Sequence, residues 1–170
     1  MFIILGGIGL AACDQIHVQF EVLKYFHPGL FGQAWWISPQ FMIATFFMYL
    51  GAFVLKKERS DFDSKEFKFA ILWFVSAYFA SGIFADHPHL LAVIYLLTWF
   101  FRMVRSREGN SLIGFSVILA LAGTGAEGLI SNAGFFVYTK PDFLLVPIWL
   151  PGLYLHGAPL IWSLVFNSKH

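Results

Sequence analysis

The sequence predicts an all-α, polytopic membrane protein, and three observations support this fold class. Of the 170 residues, 58% are hydrophobic and only 12% are charged, whereas about a quarter of the residues of a soluble domain are charged. The mean hydropathy is +0.70. Six apolar segments follow one another with short connections and no Pro-, Gly- or Ser-rich linker between them. We therefore predict one six-helix transmembrane domain over residues 1–170.

The bounds of the predicted spans follow from the thickness of the bilayer, because a helix needs about 20 residues to cross about 30 Å of hydrocarbon. The first segment is interpreted as a retained span, since no basic region precedes it as in a signal peptide. The fourth is short and needs Arg102 to reach the membrane surface. In chain order the predicted spans are Phe2–Tyr25, Gln33–Leu55, Phe67–Ala85, Pro88–Phe101, Ser111–Phe136 and Phe143–Phe166.

The distribution of Lys and Arg predicts the orientation. With six spans and a cytoplasmic N-terminus, nine of the eleven Lys and Arg residues lie on the cytoplasmic side, and only Lys24 and Lys140 lie outside. This bias follows the positive-inside rule, whereas five spans would place the basic clusters on opposite sides. We therefore predict that both termini are cytoplasmic. The nine cations are Lys56, Lys57, Arg59, Lys65, Lys68, Arg102, Arg105, Arg107 and Lys169.

The composition also excludes several classes of function. No basic stripe with interleaved aromatic residues points to nucleic acid. The single cysteine, Cys13, excludes an intrachain disulfide and a cysteine-based zinc site. In the outer segment "ADHPH", His87 and His89 are separated by a proline and lack a third ligand, so we predict no metal site there. No cofactor is predicted.

A polar stripe in the second half of the first span is the first candidate site. At helical spacing, Asp14, His17 and Glu21 share one face, and Gln15 and Gln19 form an adjacent strip. An ionised carboxylate at the centre of a membrane helix costs about 2.5–3.5 kcal/mol. These residues therefore either line a wet cavity, or the span ends near Cys13 and continues as an interfacial helix.

A second buried carboxylate, Glu127, lies among small residues in "GTGAEGLISN". Gly123, Gly125 and Gly128 permit close approach of neighbouring helices. Glu127 is either a structural residue that ties two helices together or a group that binds a polar ligand head. A small lipid enzyme that uses Asp14, His17 and Glu127 as acid–base groups is an alternative function, although no nucleophile motif or phosphate-binding loop accompanies them.

Three prolines in the last span, Pro147, Pro151 and Pro159, predict a kinked helix, because each removes a backbone hydrogen-bond donor. The carbonyl groups that they free need partners from neighbouring helices, water or a ligand. A kinked helix in a small bundle either leaves room for a ligand or reflects packing alone. His156 in the same span is predicted to form a hydrogen bond with a neighbouring helix.

Four motifs in order resemble the Insig (insulin-induced gene) family over nearly the whole chain. The turn "YTKPDF" (138–143) followed by "WLP" (149–151) resembles the entry to the last span of that family, and "AWWISP" (34–39) resembles the opening of its second span. "RSREG" (105–109) resembles its cytosolic Arg-Ser-Arg-Ser-Gly loop, with Glu108 in place of the second serine. Gln15 and Gln19 fall near glutamines in its first span.

The resemblance implies a non-enzymatic membrane protein that binds oxysterol between its helices, retains Scap and directs HMG-CoA reductase to degradation. The aspartate that the animal family needs for Scap binding is Val104 here, which argues against a Scap-like partner. The tryptophan of the family's sterol site aligns with Phe100, next to Trp99, and its span-four glutamine falls near His89. We therefore expect a distant, prokaryotic Insig-like protein.

These observations predict a protein that binds a sterol, an oxysterol or a diacylglycerol-like lipid and regulates lipid or sterol homeostasis. It is expected in the plasma membrane of a prokaryote or the endoplasmic reticulum membrane of a eukaryote. Small residues such as Gly6, Gly7 and Gly9 offer an interface for a homo-oligomer. The predicted ligand-binding residues are Asp14, Gln15, Gln19, Trp35, Trp36, His89, Phe100, Glu127 and Trp149.

Overall fold

The computed structural model describes residues 2–58, 60–106 and 108–166. Three of the predicted cytoplasmic cations, Arg59, Arg107 and Lys169, lie outside these residues. The described helices are α1 (Phe2–Gln19), α2 (Ile37–Leu55), α3 (Ser64–Ile83), α4 (Pro88–Arg105), α5 (Gly109–Asn132) and α6 (Leu150–Ser163). Two short strands, β1 (Leu23–Tyr25) and β2 (Phe136–Tyr138), and a 3-10 turn at Leu30–Gly32 complete the described elements.

Four of these helices, α1, α2, α3 and α5, are long and apolar enough to cross a membrane. Large apolar side chains on their outer faces are exposed, for example Phe47, Leu72 and Leu121. Such a surface is stable against lipid and not against water. The chain is therefore an integral membrane protein.

The two strands correct the predicted ends of the first and fifth spans, which continued as helix to Tyr25 and Phe136. The strands pair antiparallel, with Leu23 opposite Tyr138. Helix α5 ends before the strand because Gly134 adopts a positive φ of 78°, and the amide of Phe135 then donates to the carbonyl of Ile130, as in a Schellman C-cap. We call the end of the bundle with this strand pair the outer end.

The opposite end, which we call the basic end, contains the α2–α3 and α4–α5 connections. Asp63 caps α3 there, because its carboxylate accepts hydrogen bonds from the amides of Lys65 and Glu66 at 2.8 and 3.2 Å. Lys56 is buried at the end of α2, forms an ion pair of 3.4 Å with Glu108 and donates to the carbonyl of Trp162. These contacts join α2, α5 and α6.

Helix α6 lies in the centre of the bundle, and most of its residues are buried. It packs mainly against α5, α3 and α4, and to a smaller extent against α2. Gly152 permits the close approach of Tyr95, because an added Cβ would lie 2.7 Å from the Cβ atom of that tyrosine. The bundle is therefore built around the shortest described helix.

Two of the three prolines that were predicted to kink the last span do not lie in the interior of its helix. Pro147 precedes α6, and Pro151 lies in its first turn, where the missing amide has no intrahelical partner in any case. Only Pro159 lies inside the helix. Residues 143–149 form a turn in which Leu144 and Leu145 have positive φ angles of 49° and 64°, so the predicted span Phe143–Phe166 begins as a loop.

Candidate functional site

The main candidate site is an apolar cavity of about 270 Å³ between α1, α2, α3, α5 and α6. Apart from a few polar groups its walls are hydrocarbon. The residues that line it include Leu10, Phe41, Ala44, Phe47, Met48, Phe74, Leu119, Ala122, Ala126, Ile130, Leu153 and Ile161.

The cavity opens sideways, toward the space that lipid occupies. Phe47 on α2, and Ala122 and Ala126 on α5, line the cavity and are also exposed on the outside of the bundle. The gap exists because α5 packs closely on α6 and only loosely on α2. The opening of the cavity therefore lies on the apolar outer surface of the bundle, between α2 and α5.

Glu127 is the one residue of the predicted ligand-binding set that lines this cavity. One carboxylate oxygen accepts a hydrogen bond of 2.5 Å from the hydroxyl of Tyr154 on α6, and the other accepts one from Tyr138 on β2. Gly123, one turn earlier, leaves room for the ring of Tyr154, since an added Cβ would lie 2.4 Å from that ring. The carboxylate thus ties α5 to α6 and β2, as the structural alternative predicted, while remaining on the cavity wall.

Sequence reasoning missed three polar residues of the cavity: Gln40, Tyr78 and Tyr154. Among the described residues, neither the side-chain amide of Gln40 nor the hydroxyl of Tyr78 forms a hydrogen bond. Gln40 could have been found, since it carries the one side-chain amide of a mostly apolar helix. Tyr78 and Tyr154 resemble the many other aromatic residues of the chain and give no signal in the sequence.

Asp14 does not line the cavity. Its carboxylate is buried and accepts hydrogen bonds from the hydroxyl of Tyr25 at 2.7 Å and the side-chain amide of Gln33 at 2.8 Å. The same amide donates to the carbonyl of Ala11 at 2.8 Å. Helix α1 also continues to Gln19, so it does not end near Cys13. Asp14 therefore connects α1 to β1 and to the segment before α2.

Gln15 and Gln19 hold the connection between β1 and α2. Both side-chain amides donate to the carbonyl of Phe31, at 2.9 and 3.3 Å. Phe31 has a positive φ of 56°, and its ring is exposed. Each of these glutamines therefore supports a strained turn at the outer end rather than the wall of the cavity.

The two buried histidines are both engaged with neighbouring helices. Nε2 of His17 lies 2.7 Å from the hydroxyl of Ser81 on α3. Nδ1 of His156 accepts a hydrogen bond of 2.9 Å from the indole of Trp73, and its Nε2 lies 3.2 Å from the hydroxyl of Thr98. The prediction that His156 bonds to a neighbouring helix is confirmed.

The remaining predicted site residues are dispersed. Trp149 is buried against Tyr138, and Trp36 packs on the rings of Tyr25 and Phe135 at the outer end. The side chains of Trp35, Phe100 and His89 are exposed, with 80% of Trp35 accessible. In the part of the chain that the structure describes, no group of three His, Cys, Asp or Glu residues is arranged to hold a metal ion.

An ion pair ties the outer loops together. Nζ of Lys140, after β2, lies 2.5 Å from the carboxylate of Asp86, after α3. The hydrogen bond and the charge of Lys140 hold the pKa of Asp86 below its usual value. Both side chains are exposed, so this pair positions the loops more than it stabilises the bundle.

No protein-family model matches the chain, and no curated protein matches it significantly. The fold is similar to the crystal structure of MvINS, a mycobacterial Insig homologue from Mycobacterium vanbaalenii. The TM-score is 0.80 and the sequence identity is 17%, over 96% of this chain and 89% of that one. A cross-linked trimer of a cysteine variant of MvINS gives a TM-score of 0.79 at the same identity and coverage. The Insig resemblance predicted from the motifs is thus confirmed at the level of the fold.

Proposed function

We propose that this Insig-like chain is a non-enzymatic membrane protein that binds a sterol or a diacylglycerol-like lipid in the cavity beside Glu127. The observation that carries this proposal is the sideways opening of an apolar cavity whose polar groups are few. Such a site suits an amphiphile with one small polar head and an apolar body.

The chemistry of the polar groups favours a ligand with a hydroxyl head. A carboxylate offers about four acceptor positions, and the two tyrosine hydroxyls occupy two of those of Glu127. The free amide of Gln40 and the hydroxyl of Tyr78 can both donate and accept. Sterols and diacylglycerols present hydroxyl groups of this kind, whereas a phosphate head would place a negative charge beside Glu127.

The size of the cavity indicates how such a ligand would be held. Typical small-molecule pockets measure about 300–1,000 Å³, and this cavity is slightly smaller at about 270 Å³. We therefore propose that the head and one apolar segment enter the cavity, while the rest of the ligand stays in the gap between α2 and α5. The other residues of the predicted ligand-binding set do not line this cavity. Their role in binding a ligand stays a prediction.

We also propose that all six helices span the membrane, with both termini cytoplasmic. Helices α4 and α6 fall outside the candidate spans. What supports their inclusion is that α6 packs against α2, α3, α4 and α5, and that α4 packs mainly on α6. Lys56, Lys65 and Lys68 cluster at the basic end, which the positive-inside rule assigns to the cytoplasm.

Regulation of lipid homeostasis through a partner is the part of the proposal that rests on the family resemblance. Val104, which replaces the aspartate of the animal family, has 68% of its surface exposed, so its position is open to a partner but carries no charge. A Scap-type contact is therefore not proposed. Assembly into a homo-oligomer is proposed by analogy with the trimer of MvINS.

The alternative function, an acid–base enzyme, needs its groups to converge on one substrate. Asp14 is bonded to Tyr25 and Gln33, and His17 to Ser81, and neither lines the cavity beside Glu127. Incubation of the protein with a membrane lipid extract, followed by mass spectrometry of the lipids, distinguishes an enzyme from a protein that only binds lipid. Turnover that Glu127→Gln abolishes would favour the enzyme.

Native mass spectrometry of the gently purified protein tests the binding proposal, followed by titration of the delipidated protein with dioleoylglycerol and with cholesterol. We expect Ala126→Trp, which fills the cavity, to weaken binding roughly tenfold or more. The matched control is Leu121→Trp, which adds the same ring to the outer face of α5 and should leave binding unchanged. Saturable binding of neither lipid, or equal loss in both variants, would overturn the proposal.

A further inference from the structure

A second, larger cavity lies at the basic end, where α3 and α4 diverge and each packs instead on α6. Its volume is about 930 Å³, near the upper end of the range of about 300–1,000 Å³ for ligand pockets. Phe69 and Trp73 of α3 line one wall, Phe101 of α4 lines the other, and Pro159 of α6 lies between them. We call this cavity the basic-end groove.

Charges of opposite sign line the two sides of the basic-end groove. Asp63 and Glu66 lie on the α3 side, and Arg102 and Arg105 lie on the α4 side. Glu66 is close enough to Arg102 to interact with it electrostatically, but the two do not approach within the 4.0 Å of an ion pair. The groove therefore keeps its positive and negative sides apart.

Arg102 carries a buried donor without an acceptor. Its guanidinium carbon lies 5.6 Å from the centre of the Phe69 ring. Its Nη1 atom is buried and has no hydrogen-bond partner among the described residues. A buried charged donor left unpaired is costly, so an acceptor from outside these residues would be bound favourably at this position.

The third acidic residue of the groove, Glu108, would not repel an anion bound there. Glu108 forms its ion pair with Lys56 at 3.4 Å, and that lysine neutralises it. Glu66, by contrast, forms no ion pair or side-chain hydrogen bond among the described residues. One anionic and one cationic position therefore remain available in the same groove.

We propose that the basic-end groove binds a zwitterionic phospholipid from the adjacent leaflet, with its phosphate at Arg102 and Arg105 and its ammonium group at Glu66 and Asp63. The acyl chains would leave the groove past Phe69 and Phe101, whose rings are about half exposed. This site is separate from the cavity beside Glu127, because the two share no lining residue.

Other occupants match the groove less well. An anionic lipid would satisfy Arg102 but would leave Glu66 facing a second negative charge. A free phosphate would leave the apolar walls uncovered. A diacylglycerol would use neither charged side. Electrostatic complementarity of this kind provides selectivity among ligands that share the same apolar part.

The test is native mass spectrometry of the full chain, delipidated and titrated with dioleoyl phosphatidylethanolamine or dioleoyl phosphatidylglycerol. We expect one saturable binding site for phosphatidylethanolamine, with an affinity at least about fivefold higher than for phosphatidylglycerol. Glu66→Gln should remove this preference, and Glu58→Gln, an exposed acidic residue outside the groove, should not. Arg102→Gln should weaken both lipids, and Arg102→Lys should retain part of the binding.

Two further arms keep the result interpretable if Arg102→Gln does not fold. N-acetylated phosphatidylethanolamine, which lacks the ammonium group, should bind to the wild-type protein no better than phosphatidylglycerol. Ala126→Trp should leave the phosphatidylethanolamine site intact, even if the cavity beside Glu127 proves not to bind lipid. Equal binding of the two phospholipids, full displacement by inorganic phosphate, or an unchanged preference in Glu66→Gln would overturn the proposal.

Discussion

The hydroxyl of Tyr25 donates a hydrogen bond of 2.7 Å to the buried carboxylate of Asp14. The side-chain amide of Gln33 donates to the same oxygen at 2.8 Å. The two bonds connect α1 with β1 and with the segment that leads into α2. A charged residue that looks like a ligand-binding group in the sequence therefore closes the outer end of the bundle.

We expect Asp14→Leu to lower the thermal stability of the detergent-solubilised protein. The substitution leaves the buried hydroxyl of Tyr25 without its acceptor, which costs about 1–3 kcal/mol. It also removes one of the two hydrogen bonds of the Gln33 amide, which keeps its bond to the carbonyl of Ala11. Intrinsic tryptophan fluorescence during heating measures the midpoint. Glu21→Gln, at an exposed position beyond the end of α1, is the control and should unfold at the wild-type temperature.

Two glycines on α1 give a second stability test. A Cβ added at Gly7 would lie 2.4 Å from Cγ of Met42 and 2.8 Å from its backbone nitrogen, whereas one at Gly9 would meet nothing within 4 Å. Gly7→Ala should therefore destabilise the α1–α2 contact, by about 1–3 kcal/mol as for other overpacked sites, and Gly9→Ala should be neutral. Equal midpoints for the two variants would show that α1 and α2 are less tightly packed than their backbones indicate.

The number and order of the helices were predictable because apolar length and charge are properties of whole segments. The ends of α1 and α5 were not, because Leu23–Tyr25 and Phe136–Tyr138 are short, apolar and continuous in sequence with the helices. Only tertiary pairing makes them strands. The glycine at position 134 was the one local signal that α5 would stop.

The candidate site was only partly predictable for a related reason. Both Asp14 and Glu127 were identified because carboxylates are rare in membrane-spanning helices. Their roles differ because each one faces a different part of the bundle. Asp14 faces β1 and is enclosed, while Glu127 lies beside the gap between α2 and α5. The gap could not be predicted from the sequence, because it arises from the loose packing of two helices that are both apolar.

Gly123 offers a test of the polar end of the cavity. A Cβ at this position would lie within 2.6 Å of three ring atoms of Tyr154, so Gly123→Ala should displace that ring and its hydrogen bond to Glu127. We expect roughly tenfold weaker retention of the bound lipid, measured by native mass spectrometry. Gly125→Ala, where the new Cβ meets nothing within 4 Å, is the matched control on the same helix. Loss of lipid in both variants would show that α5 tolerates no change and would leave Tyr154 without a special role.

The proposed orientation can be tested by cysteine labelling, because the native Cys13 is buried and should give little background. Lys57 and Lys24 are both exposed and lie at opposite ends of the bundle. In sealed, right-side-out membrane vesicles, a membrane-impermeant maleimide should label Lys24→Cys directly and Lys57→Cys only after permeabilisation. The wild-type protein is the control. Labelling of both variants from the same side would show that α1 and α2 do not cross the bilayer in opposite directions. Direct labelling of Lys57→Cys, with Lys24→Cys labelled only after permeabilisation, would place the basic end outside.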